Sequence, residues 1–290
     1  MPTRIRRSLR SKPMRWAAIA LCAALAAGSG RAPGAELDVP TPYVPSTRLN
    51  VDEMLRLAAV GPQDVVYDLG SGDGRVVIAA ARDYGARGVG LDIDAALVRE
   101  SRENARRAGV GDRTEFRQED LLTANIREAT VVTLYLLPTL VRRLQEKLFA
   151  DLKPGTRIVA HEYGFPDWKP DRKIVISKTF YLYTVPGRVA GSWRLETSAG
   201  NRPRAYDIAF GQHYQEIKGA ARVTGGILPA FEARLAGEHI AFVLMDEDMT
   251  YRYEGRVQGE RMDGIVRWGY GPHLNEAAWH ATRIGVGAQG

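Results

Sequence analysis

The chain of 290 residues has a single cysteine, Cys22, inside an N-terminal apolar stretch. That excludes a disulfide framework and a cysteine metal site. His213, His239, His273 and His280 show no ligand spacing, so no metal centre is expected. The longest apolar run, Trp16–Ala27, has twelve residues. A membrane-spanning helix takes about 20. An excess of charge is missing as well. The formal net charge is +6, from 40 Lys+Arg against 34 Asp+Glu. Seven of the cations stand in residues 1–31, where there is no acid, so the remainder carries 40 − 7 = 33 basic groups against 34 acidic ones. A body near −1 lacks the electrostatic footprint of a nucleic-acid binder, and no nucleic-acid partner is expected. What is present, 45% hydrophobic and 26% charged residues, suits a folded globular chain with a large core.

Residues 1–35 read as a secretory signal peptide. A basic stretch precedes the apolar run, and small residues follow it through Gly34-Ala35. Cys22 follows Leu21, not a small residue, which argues against a lipoprotein signal. The expectation is therefore export, to the periplasm or the outer face of a membrane. The alternatives are an uncleaved anchor giving membrane association, or a cytoplasmic chain with an extension of no use.

The body is organised around Val65-Val-Tyr-Asp68-Leu-Gly70-Ser71-Gly72-Asp-Gly74-Arg75. An apolar strand runs into an acid, a loop has glycine at every second position, and a helix follows. Glycines at 70, 72 and 74 permit positive φ and let a ligand approach the backbone. The start of the next helix offers N–H groups to an anion. A dinucleotide fingerprint would need a small residue at 75; Arg75 stands there, which disfavours an NAD-type oxidoreductase. The pattern D-x-G-x-G-x-G at Asp68–Gly74 resembles motif I of the class I S-adenosylmethionine (SAM) methyltransferases. Pro42-Tyr-Val-Pro-Ser, Leu134-Tyr-Leu-Leu-Pro138 and Asp167-Trp168-Lys-Pro170 resemble a bacterial group related to the protein-lysine methyltransferases of the mitochondrial ATP-synthase type. The resemblance covers about residues 40–197.

It implies an α/β, Rossmann-like sheet with SAM as cofactor, held by Asp68, Gly70, Ser71, Gly72 and Gly74. Asp92 would hold the ribose, and its distance of about 20 residues from the loop is that of a ribose-binding carboxylate. Ile93 would belong to the cofactor-binding set, and Asp120 and Leu121 would hold the adenine; for Asp120 the other reading is a cap of the following turn. The implied acceptor is a nucleophile, with a protein lysine amine suggested. Tyr135 stands where many amino-group methyltransferases carry an Asn/Asp-Pro-Pro-Tyr motif. Tyr135 would orient the amine, and His161 or Glu162 would accept a proton or pair with it. A structural part for each is the competing reading. The alternative for the whole chain is a SAM-binding envelope protein without catalysis, whose C-terminal part binds a partner.

Strands and helices alternate from 65 to 160, as in a parallel sheet. Before them, a proline-rich arm from 36 and an amphipathic helix at 51–59 would strap the ligand pocket. Ile174–Val185 and Gly191–Thr197 are expected to close the sheet as an antiparallel hairpin. The organisation expected is thus 1–35 signal, 36–200 methyltransferase domain and 201–290 all-β domain. Beyond about Tyr206 the period becomes two. Leu235-Ala-Gly-Glu-His-Ile240 is echoed by Val257-Gln-Gly-Glu-Arg-Met262, each Gly-Glu a hairpin turn. An antiparallel meander of about six strands, or a partial barrel, is expected there.

Overall fold

A computed structural model describes residues 44–201, 203–246, 249–270 and 273–285. Residues 1–35, read above as a signal segment, lie outside them, as does Tyr43 of the arm. Strands β1 (Val65–Leu69), β2 (Arg87–Asp92), β3 (Thr114–Gln118), β4 (Val131–Leu134) and β5 (Arg157–His161) pair in parallel. The antiparallel hairpin β6 (Arg172–Val175) and β7 (Thr179–Thr184) completes a seven-stranded sheet in the order β3-β2-β1-β4-β5-β7-β6.

Helices cover both faces, because strands buried on both sides alternate their cores. Tyr67, Leu69, Val132, Leu134, Ile158 and Ala160 pack with Val141, Leu144 and Leu148 of α4 (Pro138–Asp151). Val66, Val131 and Val159 pack on the other side with α1 (Arg48–Leu57) and α2 (Arg75–Tyr84). Helix α3 (Ala95–Arg107) is capped by Asp94, whose side chain accepts from the Ala96 and Leu97 N–H groups. The apolar run at 130–137 is a strand only to Leu134. Tyr135 leaves the sheet, and Pro138 opens α4, where a missing N–H costs nothing.

The remaining strands are β8 (Gly191–Thr197), β9 (Arg204–His213), β10 (Glu216–Val223), β11 (Gly226–Ala236), β12 (His239–Asp246), β13 (Met249–Gln258), β14 (Arg261–Tyr270) and β15 (His273–Gly285). They form a closed barrel, β15 pairing with β8. Two expectations are corrected here. The closing hairpin lies within 172–184, and β8 belongs to the barrel, pairing with β9 and β15. The meander has eight strands and no open edge. Inside it Trp193, Trp279, Tyr253 and Phe242 are buried, with Phe242 stacked on Tyr253 at 4.8 Å. The Gly-Glu pairs turn β11 into β12 and β13 into β14, with Gly237 at φ 57 and Gly259 at φ 61. Sheet and barrel lie in one compact unit, 42–290. Gln212 of β9 ties them: its side chain accepts from Val189 N–H at 2.7 Å and donates to Gly187 O at 2.7 Å.

Candidate active site

The glycine loop and the end of β2 are one piece. Gly70, Gly72 and Gly74 have φ of 83, 52 and 82. A Cβ at Gly70 would sit 2.9 Å from Leu136 Cδ2, and one at Gly74 2.7 Å from Phe116 Cε1. The Gly70 and Ser71 N–H groups both donate to Leu91 O at 2.9 Å. The Gly72 N–H donates to Asp92 Oδ2 at 2.8 Å, and the Asp94 N–H to Asp92 Oδ1 at 2.9 Å. Asp92 therefore shapes the loop with one lone pair on each oxygen. It is half-buried, and its neighbour Ile93 is 73% exposed.

Asp68 is buried beneath this loop and accepts from Thr133 Oγ1 at 2.7 Å. Burial pushes its carboxyl up to about 7, against the Thr133 bond and helped by Asp92 and Asp73. A cation placed against such a group favours its ionised form. The α-ammonium of SAM is one, so Asp68 and the Cβ-free loop fit the amino-acid end of that cofactor. Asp120 lies exposed beyond β3. Its Oδ1 accepts from Leu122 N–H at 2.8 Å and its carbonyl from Ala124 N–H at 2.9 Å. It caps that turn, the second of its two readings, with one oxygen used.

The acceptor side lies at the ends of β4 and β5. The Tyr135 ring is 4.0 Å from the His161 ring, centroid to centroid, and His161 stacks on Phe180 at 4.8 Å. His161 is 1% exposed. Its Nδ1 lies 3.3 Å from Ser46 Oγ, and its Nε2 3.5 Å from Asn50 Nδ2. Asn50 Oδ1 accepts from Ser177 Oγ at 3.3 Å. The Asn50 amide nitrogen therefore donates to Nε2, and Nδ1–H donates to Ser46. Burial pushes His161 down to about 4. Neutral, buried and bonded at both nitrogens, it braces Tyr135 and has no free nitrogen for a substrate proton. Of the two readings given for His161, these contacts favour the structural one. Glu162 differs. It is half-buried, has φ 68, and donates its N–H to Thr179 O at 2.7 Å. Lys178 Nζ is 3.6 Å from its Oε1.

The acids, Tyr135, His161 and Glu162 thus converge on one edge of the sheet, where open α/β sheets bind ligands. Sequence reasoning missed Ser46, Asn50 and Thr133. The proline-rich arm hinted at a strap, and Arg75 holds it by donating to Ser46 O. Which arm residues face His161 depends on a contact across 111 to 115 residues.

A sheet of this order, with a glycine loop after β1 and an acid ending β2, defines a class I methyltransferase, and SAM is its cofactor. Comparison of the sequence with known families and proteins agrees. Residues 68–172 match the ANTKMT methyltransferase domain. A protein-lysine N-methyltransferase from Saccharolobus islandicus is 40% identical over 150 residues, which are 50% of this chain and 93% of the relative. An adenine nucleotide translocase lysine N-methyltransferase from Mus musculus is 34% identical over 134 residues, 46% of this chain and 58% of the relative. Among solved structures, an RNA methyltransferase from Salinibacter ruber in complex with S-adenosyl-L-homocysteine is 54% identical, covering 49% of this chain and 93% of that one, with a TM-score of 0.48. The chain belongs to the ANTKMT methyltransferase family, an enzyme family, which favours catalysis over a merely SAM-binding protein.

Proposed function

We propose that this methyltransferase alkylates the ε-amino group of a lysine on a protein. The observation that carries the reading is the Saccharolobus islandicus relative, a protein-lysine N-methyltransferase matched over nearly its whole length. The near-neutral body supports a protein over a polyanionic acceptor. In this reading Asp68 and the glycine loop hold the amino-acid end of the cofactor, Asp92 the ribose, and Asp120 and Leu121 the adenine, with Ile93 in the same cofactor-binding set. Bound SAM supplies a methyl group already activated by its sulfonium. The chain's own residues prepare the amine. A lysine reacts only when neutral, and the surroundings of half-buried Tyr135 and buried His161 disfavour the ammonium form. The Tyr135 hydroxyl orients the nitrogen lone pair, and the Glu162 carboxylate takes the proton that the nitrogen sheds. Alignment then supplies most of the rate.

The test is incubation of the purified chain with SAM and either poly-L-lysine, a lysine-bearing protein mixture or RNA. S-adenosylhomocysteine release with methyl groups on lysine nitrogen is the expected result. Methyl groups recovered on RNA, or none on lysine, would overturn the assignment.

The proposal extends to residues 1–35 as an export signal, on the support of their basic-then-apolar order. Mass spectrometry of the native protein is expected to find a mature N-terminus near Glu36. An intact Met1 or Met14 in the cytosolic fraction would refute export.

A further inference from the structure

The turn between β9 and β10 departs from its sister turns. Where β11–β12 and β13–β14 place Gly237 and Gly259 first in a two-residue loop, β9–β10 places Tyr214, at φ 50. A bulky residue in the left-handed region is strained, and such strain persists only where surrounding contacts enforce it. The contacts are those of Tyr214 with α4 and with the segment that follows β5. Its ring stacks on Trp168 at 4.9 Å and 5°, and meets the edge of Phe149 of α4 at 5.3 Å. Its hydroxyl accepts from Gln145 Nε2, also of α4. Next to it, Gln215 Nε2 donates to Lys169 O at 2.6 Å.

Trp168 belongs to the segment that begins at Glu162. On its sheet side this segment rests on Tyr183. The Tyr183 hydroxyl accepts from Phe165 N–H at 3.0 Å, and the Trp168 ring lies 5.3 Å from that of Tyr183. On its other side it rests on the barrel. Trp168 is 1% exposed and sits between the two tyrosines. No helix or strand orders residues 162–171 from within. The ends are pinned to β7, the Glu162 N–H donating to Thr179 O at 2.7 Å and the Asp171 N–H to Leu182 O at 2.8 Å; between them the geometry comes from the two surfaces that clamp the segment, one of which is the barrel turn.

We infer that the barrel is part of the acceptor site: Tyr214 is a positioning residue that sets the segment carrying Glu162 and Tyr163. The inference rests on the proposed seat of the amine beside Tyr135 and Glu162. The cofactor side, at the ends of β1 and β2, is built without these contacts. Loss of Tyr214 should separate the two halves of the reaction.

The test compares full-length Tyr214→Ala and Tyr214→Phe with the parent. Phe keeps the stack on Trp168 and loses only the Gln145 bond. Hydrogen exchange of 162–170, SAM affinity by calorimetry, and KM and kcat with poly-L-lysine are measured on each. For Tyr214→Ala, exchange in 162–170 is expected to quicken tenfold or more. The kcat/KM for poly-L-lysine should fall at least tenfold, while SAM affinity stays within twofold. Tyr214→Phe should stay within about threefold of the parent throughout. Unchanged exchange in 162–170 of Tyr214→Ala overturns the inference, as does a parallel loss of SAM binding and turnover. Should Tyr214→Ala not fold, Gln215→Ala, which removes the Lys169 bond, is read by the same exchange criterion. Should the parent methylate no lysine, the lysine reading fails, and exchange alone decides the part played by the barrel.

Discussion

At the scale of single residues, two carboxylates at neighbouring strand ends are set to different work by their surroundings. Asp68 is buried, with Thr133 as its hydrogen-bond donor. Asp92 is half-open and already holds the Gly72 and Asp94 N–H groups. If Asp92 also accepts from ribose hydroxyls, its removal is felt twice, through the ligand and through the loop. A hydrogen bond to a charged group contributes about 1.5–3 kcal/mol. Asp92→Ala should therefore weaken SAM by about tenfold or more in a calorimetric titration. An effect below twofold would reduce Asp92 to a surface acid. Asn at 92 keeps one acceptor oxygen and should fall between the two.

At the scale of elements, α1 and the arm before it form a brace across the carboxyl end of β5. Thr47 caps α1, accepting from Asn50 N–H at 3.3 Å. Asn50 is buried and reaches both His161 and Ser177, which ties the helix to β5 and to the β6–β7 turn. Asn50→Ala leaves the buried Nε2 of His161 without its donor. A buried polar group left unpaired costs about 1–3 kcal/mol. The urea midpoint should fall accordingly, and acceptor turnover should drop as Tyr135 loses its braced neighbour. SAM affinity should hold, since the glycine loop is untouched. A variant as stable and as active as the parent would show that the brace is idle.

At the scale of the whole molecule, two buried groups pull stability in opposite directions with pH. Asp68 has a folded pKa raised from 3.8 to about 7. The folded state thus holds this proton more tightly, and its contribution is lost as pH rises from about 4 to about 7. His161 has a folded pKa lowered from 6.5 to about 4. The folded state sheds this proton first, and stability is lost as pH falls from about 6.5 to about 4. Between those limits the two slopes, each up to about 1.4 kcal/mol per pH unit, oppose one another. The parent should be nearly flat there. Asp68→Asn removes one slope, so the variant should grow more stable as pH rises from about 4.5 to about 6.5. Urea unfolding at three pH values measures this, and parallel curves for parent and variant would rule it out.

The parts of this enzyme legible in its sequence are those governed by neighbours along the chain. Asp68–Gly74 reads as strand, loop and helix because glycine tolerates positive φ and apolar runs bury themselves. The two Gly-Glu turns read as hairpins for the same local reason. The fold class and the edge of the sheet that carries the site follow from that alternation. The tertiary structure alone decided the rest. Strand β8 joins the barrel because Thr197 finds Trp279, 82 residues away, as its partner (279 − 197). His161 becomes a brace because Ser46 of the arm and Asn50 of α1 arrive from more than a hundred residues earlier. Tyr214 takes a strained turn position because Trp168, Phe149 and Gln145 wait on another element. Each of these is a contact between distant segments, and local propensity carries no information about which distant segment will close the loop.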